Sequence, residues 1–149
     1  MAATLQFDFR AAHEVEEFLQ QLRGFDRAEL LDGVGAIVEV QTQRRIKHEK
    51  ESPDGEKWAE WSPAYKATRR GSQDYLQDTG SLFTSIAYYV EGDAVFVGEG
   101  MEYASFHQDG TRKMPARPSL GVSDANGEEI TEEVVAFLDD VVQHTRLAR

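Results

Sequence analysis

Cysteine is absent from this chain of 149 residues. Its absence excludes disulfides, thiolate zinc sites, iron–sulfur clusters and a cysteine nucleophile. Transition-metal sites need several convergent donors, and no two of the four histidines have the spacing of metal ligands: His13, His48, His107 and His144. The segment 98–100, Gly-Glu-Gly, lacks the third glycine of a dinucleotide fingerprint. We therefore expect neither a metal site nor a cofactor.

Long hydrophobic runs are also missing. No apolar stretch approaches the roughly 20 residues that cross a bilayer. The first residues, Met1-Ala2-Ala3-Thr4-Leu5, have neither the basic flank nor the apolar run of a signal peptide. We therefore expect a protein that is made and folded in a cytoplasm, without a membrane partner.

Basic residues are scarce outside one segment. The formal net charge is -11, which opposes a large phosphate-binding surface because affinity for DNA comes mainly from lysine and arginine. Residues 44–70 are the exception, with eight basic against five acidic side chains. An acidic body with one basic segment could pair with copies of itself or with an acidic partner.

The composition is otherwise that of a folded domain, with 40% hydrophobic and 29% charged residues. Its length predicts one domain, residues 1–149. Apolar spacing predicts an amphipathic helix at 13–23, through Val15, Phe18 and Leu22. Asp26, with Glu29 three positions on, predicts the start of a second helix. Helical composition continues to Lys50, although the apolar stripe ends earlier, so the polar half either projects or packs against something else.

A long loop or arm is expected at about 44–80. Its second part, 51–80, is rich in Ser, Pro, Asp and Gly, and Ser62-Pro63 predicts one short helix. Four large aromatic residues interrupt it: Trp58, Trp61, Tyr65 and Tyr75. Because these side chains need burial, we expect the segment to be poorly ordered or swapped in the isolated protein and to order on assembly.

Period-two alternation predicts a β-hairpin, with strands at 85–90 and 94–97 joined by the turn 91–93. A weaker strand is expected at 4–9, a helical turn at 103–108 and an amphipathic helix from Ile130 to Val141. We therefore predict an α+β fold: a small antiparallel sheet with a central hairpin, packed by amphipathic N-terminal and C-terminal helices.

Two constellations suggest chemistry. Glu99 and Glu102 flank a glycine, where a carboxylate hydrolase could place an acid–base pair, although a solvated turn is the simpler interpretation. The basic segment 44–70, with Trp58 and Trp61 nearby, could serve a small nucleic-acid-binding module. Interleaved glutamates largely cancel its charge, so a solvated face or a protein contact is favoured.

The order of motifs between residues 51 and 123 resembles the phage virion morphogenesis family. The motifs are Pro53-Asp54-Gly55, Trp58, Arg69-Arg70, Leu76, Thr79-Gly80-Ser81-Leu82, Ser85-Ile86, Val97-Gly98, Tyr103-Ala104, His107-Gln108, Gly110 and Pro115-Ala116-Arg117-Pro118. The family pattern often has an aromatic residue after the second proline of the last motif, where this chain has Ser119.

The resemblance implies a structural protein of a bacteriophage or prophage tail and no enzyme. Such a protein is required for tail completion and head–tail joining, and binds itself in a ring and other tail or connector proteins. It would assemble in the cytoplasm of the bacterial host and end in the virion. The glycines and prolines of the motifs agree, because they fix backbone geometry rather than chemistry.

Six residues are the expected subunit interface: Trp58, Trp61, Tyr103, His107, Gln108 and Arg117. The last four should share a surface patch, because the stretch after the hairpin has few apolar residues of its own yet concentrates types that anchor interfaces. Pro115 and Pro118 should present Arg117 to an acidic neighbour. In the alternative, Tyr103 fills the domain's own core and His107 caps a local turn.

Overall fold

A computed structural model describes residues 25–71 and 73–147, with side chains to residue 144. The helix predicted at 13–23 and the strand predicted at 4–9 lie outside the described residues. Within them the chain forms five α-helices, a π-helical turn and one two-stranded antiparallel sheet. The predicted α+β class is therefore confirmed. None of the described helices is both long enough and apolar enough to cross a membrane.

Helix α1, Arg27–Arg44, begins where the sequence predicts. The side chain of Asp26 accepts hydrogen bonds from the backbone N–H groups of Ala28 and Glu29, which otherwise have no partner at a helix start. The helix runs directly into a π-helical turn, Arg45–Glu49. Lys50 ends this turn in the left-handed conformation, with φ 54°.

The predicted hairpin is confirmed as β1, Ile86–Glu91, and β2, Ala94–Glu99. Its register pairs Tyr88 with Val97 and Tyr89 with Phe96. Alternation therefore places Tyr88 and Tyr89 on opposite faces. The Tyr88 face packs on α1, where the ring lies so close to Gly35 that a Cβ there would be 2.2 Å from it.

Helix α5, Asp124–Leu147, also packs against α1, which therefore contacts both strands and the C-terminal helix. The side chain of Ser123 accepts from the N–H of Asn126, three residues later, as an N-cap does. The predicted helix from Ile130 is confirmed and begins earlier than its apolar stripe. The predicted turn at 103–108 is confirmed as helix α4, Ala104–Asp109.

The polar end of α1 is buried rather than projecting. Gln41, Thr42 and Arg45 are at most 2% exposed. The Arg45 guanidinium donates to the carbonyls of Ser119 and Gly121 at 2.7 and 2.9 Å, and to the Asn126 side chain. The start of the expected arm, at Arg45, is therefore part of the interior.

The segment 51–80 folds onto its own chain. Ser62 caps helix α2, Pro63–Thr68, as predicted, and helix α3, Ser81–Thr84, follows the segment. Trp58 is 5% exposed, packs with Ile46 and Ile86, and donates through Nε1 to the Pro118 carbonyl at 3.1 Å. The long loop expected here therefore packs on its own chain; that it is poorly ordered or swapped in the isolated protein and orders on assembly stays a prediction.

Candidate functional site

A cavity of about 710 Å³ lies between the segments 60–82 and 103–117. Four of the six predicted interface residues line it: Trp61, Tyr103, His107 and Arg117. The cavity also has the size of typical ligand sites. The structure therefore brings most of the predicted residues together, around a concave surface rather than on a flat patch.

One wall of the cavity is a stack of aromatic rings and an arginine. Trp61 meets Tyr65 and Tyr75 edge to face, with centroids 5.8 and 5.1 Å apart. The Arg69 guanidinium lies 5.2 Å from the ring centroids of Trp61 and Tyr65 and 3.4 Å from Asp78. Such packing makes the wall rigid and largely apolar with a positive edge.

Arg117 is 5% exposed, which corrects the expectation that its guanidinium is presented on the surface. Its Nε and Nη2 donate to the carbonyl of Ala59 at 3.1 and 2.6 Å. The guanidinium also lies 5.1 Å from the ring centroid of Tyr75. Burial lowers its pKa from the ordinary arginine value. Arg117 therefore ties the chain before α2 to the segment 103–117 that lines the cavity.

Tyr103 and His107 also line the cavity, with ring centroids 5.9 Å apart in an edge-to-face arrangement. Tyr103 is 37% exposed, so it does not fill the core as the alternative required. His107 Nδ1 is buried without a hydrogen-bond partner among the described residues. Burial, followed by the charge of Arg117, lowers the pKa of His107, which favours the neutral ring.

The other two predicted interface residues are structural. Gln108 donates to the Leu120 carbonyl at 2.9 Å and accepts from the backbone N–H of Ser119 at 3.1 Å. It therefore fixes the stretch that follows Arg117. Trp58 belongs to the core, as described above. Neither residue lines the cavity.

Sequence reasoning missed two features. It did not select Arg69 and Lys113, which line the cavity but lie far apart along the chain. It also missed an exposed aromatic pair on the outer face of the hairpin. Tyr89 and Phe96 stack with centroids 5.0 Å apart and are 58% and 46% exposed. Strand alternation was a signal that could have found this pair.

Glu99 and Glu102, the pair that a carboxylate hydrolase would use in the alternative interpretation, lie outside the cavity. Glu99 ends β2, where the Ser119 hydroxyl donates to its Oε1, while Glu102 is exposed and neither residue lines the cavity. Burial raises the pKa of Glu99, and the Ser119 hydrogen bond partly opposes this. Glu99 is thus half-buried rather than in a solvated turn. Among the described side chains, no three His, Asp or Glu residues are grouped to hold a metal ion.

Charges in the basic segment 44–70 are mostly used inside the chain. Arg44 pairs with Glu49 and Glu129 at 2.8 and 2.9 Å. Three further pairs are Lys50–Asp74, Lys57–Glu51 and Arg69–Asp78. Little of the positive charge is therefore left for a phosphate backbone, which weakens the nucleic-acid alternative.

Comparison with known proteins agrees with the resemblance of the motifs. The profile of the phage virion morphogenesis family matches residues 9–139. The chain is 26% identical over 140 residues to the Mu-like prophage FluMu G protein 1 of Haemophilus influenzae, which covers 91% of this chain and 92% of that protein. No solved structure matches it.

Proposed function

The chain belongs to the phage virion morphogenesis family, and from this we propose that it is a structural subunit that completes a bacteriophage or prophage tail. A role in virion assembly follows from the family. Its finer form is our proposal: the protein joins the tail to the head end of the virion by binding other subunits, and catalyses no reaction.

The observation that carries this proposal is where the family-like motifs lie. Trp58 and Arg117 hold the segment that forms one cavity wall. Gly110 allows a tight approach, because a Cβ there would lie 2.8 Å from the Ala116 nitrogen and its φ is 75°. The motifs therefore build a shaped surface and no nucleophile with its base. A shaped surface of this kind serves binding.

Self-association into a ring is part of the proposal, since tail tubes are built from rings and identical subunits close most simply by rotational symmetry. Other partners are the tail or head–tail connector proteins of the same phage. Assembly takes place in the cytoplasm of the bacterial host, and the subunit then remains in the virion.

Deletion of the gene from an inducible phage or prophage tests the proposal. We expect lysates with filled heads and with tails that are unfinished or unattached, restored when the chain is supplied from a plasmid. Native mass spectrometry of the purified protein should give one closed oligomer. Normal infectious particles from the deletion strain would overturn the assembly role, whereas a monomer in solution would overturn only the ring.

A further inference from the structure

We propose that the hairpin tip of one copy inserts into the cavity of the next copy, so that subunits join head to tail. The tip is defined here as Tyr89, Glu91 and Phe96. This inference rests on the self-association in the proposed function and names the two surfaces that make it.

The tip offers apolar surface and a free acid. The Tyr89–Phe96 stack projects from the face of the hairpin that α1 does not cover, and both rings are largely exposed. Glu91 ends β1, is exposed, and has no ion-pair partner among the described residues, whereas Asp93 in the same turn is held by Arg27 at 2.8 Å. Exposed stacked aromatics beside a carboxylate are suited to an interface.

The cavity offers the complement. Its aromatic wall includes Trp61 and Tyr65, with the guanidinium of Arg69 over both rings. Among the described residues, Arg117 has no carboxylate partner, and Lys113 is exposed at the lining without one. An apolar group that carries a carboxylate would complement both the aromatic wall and these two cations.

The carboxylates of the lining do not fill this need. Asp74 and Asp78 are held by Lys50 and Arg69, and Glu60 is exposed. Lys113 is exposed, and the hydrogen bonds of Arg117 go to backbone carbonyls rather than to a carboxylate. Both cations therefore favour an acidic occupant, and Glu91 of a second copy supplies one. In a chain of net charge -11, such local complementarity also fixes the orientation in which two copies can meet.

The turn of the hairpin and the cavity lie near opposite ends of the same helix. The hairpin turn reaches Arg27, the first residue of α1. Gln77, on the cavity lining, donates to the carbonyl of Ile46 just beyond the other end. At 1.5 Å per residue, the turn at Asp93 and the Ile46 carbonyl lie about 28 Å apart along the helix axis. Because the hairpin packs along α1 of the same copy, it does not enter that copy's own cavity. Contact between two different surfaces propagates into a ring when the rotation closes.

Two variants separate the surfaces. The tip variant combines Tyr89→Thr and Phe96→Thr, which keep strand propensity; its matched control is Val135→Thr, an equally exposed position on α5. The cavity variant combines Tyr103→Ser and Lys113→Glu. Its control, Phe106→Ser with Arg112→Glu, makes the same chemical changes at exposed neighbours outside the lining.

Native mass spectrometry and size-exclusion light scattering give the readout, after circular dichroism has verified folding. We expect the tip and cavity variants to be monomers at concentrations where the parent and both controls form the closed oligomer, with the association constant reduced at least tenfold. An equimolar mixture of the two variants should give 1:1 dimers, because each contributes one intact surface.

Contrary results are distinguishable. A monomeric parent overturns self-association and this inference together. A parent ring that persists in either variant overturns only this inference; if tail completion nevertheless fails, the altered surface receives another phage protein. Controls that disassemble as readily as the variants, or a mixture without dimers, also overturn the head-to-tail contact.

Discussion

Gly33 and Gly35 share a helix, yet their surroundings differ. A Cβ at position 35 would lie 2.2 Å from the Tyr88 ring, whereas nothing lies within 4 Å of one at position 33. We expect Gly35→Ala to lower the free energy of unfolding by about 1–3 kcal/mol through overpacking. Gly33→Ala should raise it by up to about 1 kcal/mol, because alanine favours the helix.

Urea denaturation of both variants measures this difference, and each serves as the other's control. Two changes of the same sign would mean that helix propensity alone, and not the approach of Tyr88, decides the effect. The hydroxyl of Tyr88 donates to Asp32 at 3.0 Å, so Tyr88→Phe, with its ring kept, should leave the Gly35 penalty in place.

Because Arg117 is buried, its substitution should lower the stability of the fold rather than weaken binding at the surface. Its guanidinium donates to two backbone carbonyls, those of Ala59 and Glu60. We expect Arg117→Glu to lower the free energy of unfolding by about 3 kcal/mol or more, because it buries an acid beside acceptors. Arg117→Lys keeps the charge without the planar fork, so its loss should be smaller.

Urea denaturation midpoints of the two variants measure whether Arg117→Glu loses more stability than Arg117→Lys. Arg112→Glu is the control, since Arg112 is exposed and outside the cavity lining. A folded Arg117→Glu variant with the midpoint of the parent would restore the earlier interpretation of Arg117 as an exposed interface residue.

The burial of Glu99 predicts that the stability of the fold depends on pH. Burial raises its pKa above the ordinary value of 4.5, so the folded state binds more protons than the unfolded state from about that pH up to the raised pKa. Stability from this group is present at low pH and falls as pH rises through that window. Glu99→Gln should therefore become more stable relative to the parent as pH rises from 4 to 8.

Urea midpoints at several pH values give the measurement, with Glu102→Gln, an exposed neighbour, as the control. A constant difference between parent and Glu99→Gln across the range would show that Glu99 does not titrate differently on folding.

At the scale of elements, Asn126 links α1 to the start of α5. Its Oδ1 accepts from Arg45, its carbonyl accepts from Gln41, and its N–H donates to Ser123. Asn126→Ala would leave the guanidinium of Arg45, which is 1% exposed, without its side-chain acceptor. We expect a loss of about 2–4 kcal/mol.

Hydrogen exchange should show faster exchange in the first turns of α5 in this variant than in α1. Gln143→Ala, exposed on the same helix, should change stability by less than about 0.5 kcal/mol. Equal acceleration in both helices would mean that α5 does not open separately from α1.

The helices and strands that were predicted correctly are determined by residues that lie close together along the chain. Asp26 and Ser62 cap their helices because the partners of a cap lie two or three residues away, and the hairpin follows from alternation within a dozen residues. Arg45 was not predicted as buried. Its acceptors lie more than 70 residues along the chain, and no local pattern contains them.

At the scale of the whole molecule, one part of the candidate site was predicted from the sequence and another part was not. Tyr103, His107 and Arg117 were found because they lie close together in sequence within family-like motifs. Lys113 and the hairpin tip were not, because their roles depend on which surfaces the fold leaves exposed. Arg117 was given the wrong environment, since one chain's sequence does not tell a partner's carbonyl or acid from its own.

The distribution of charge over the molecule predicts weak binding to DNA. Of the basic residues in 44–70, Arg45 is buried and Arg44, Lys50, Lys57 and Arg69 pair within the chain. Lys47, Lys66 and Arg70 remain exposed, without an ion-pair partner among the described residues. Since each phosphate contact adds about 0.9 to the salt slope, three such groups allow a slope of at most about 3.

We therefore expect micromolar protein not to bind duplex DNA at about 150 mM salt. Any binding seen at lower salt should be lost at that concentration, because the net charge of the rest of the molecule repels DNA. Fluorescence anisotropy against salt concentration measures both. The combined variant Lys47→Glu, Lys66→Glu should assemble into tails as the parent does. Submicromolar binding at 150 mM salt that this variant loses, together with defective tails, would instead make the segment 44–70 a nucleic-acid surface that serves assembly.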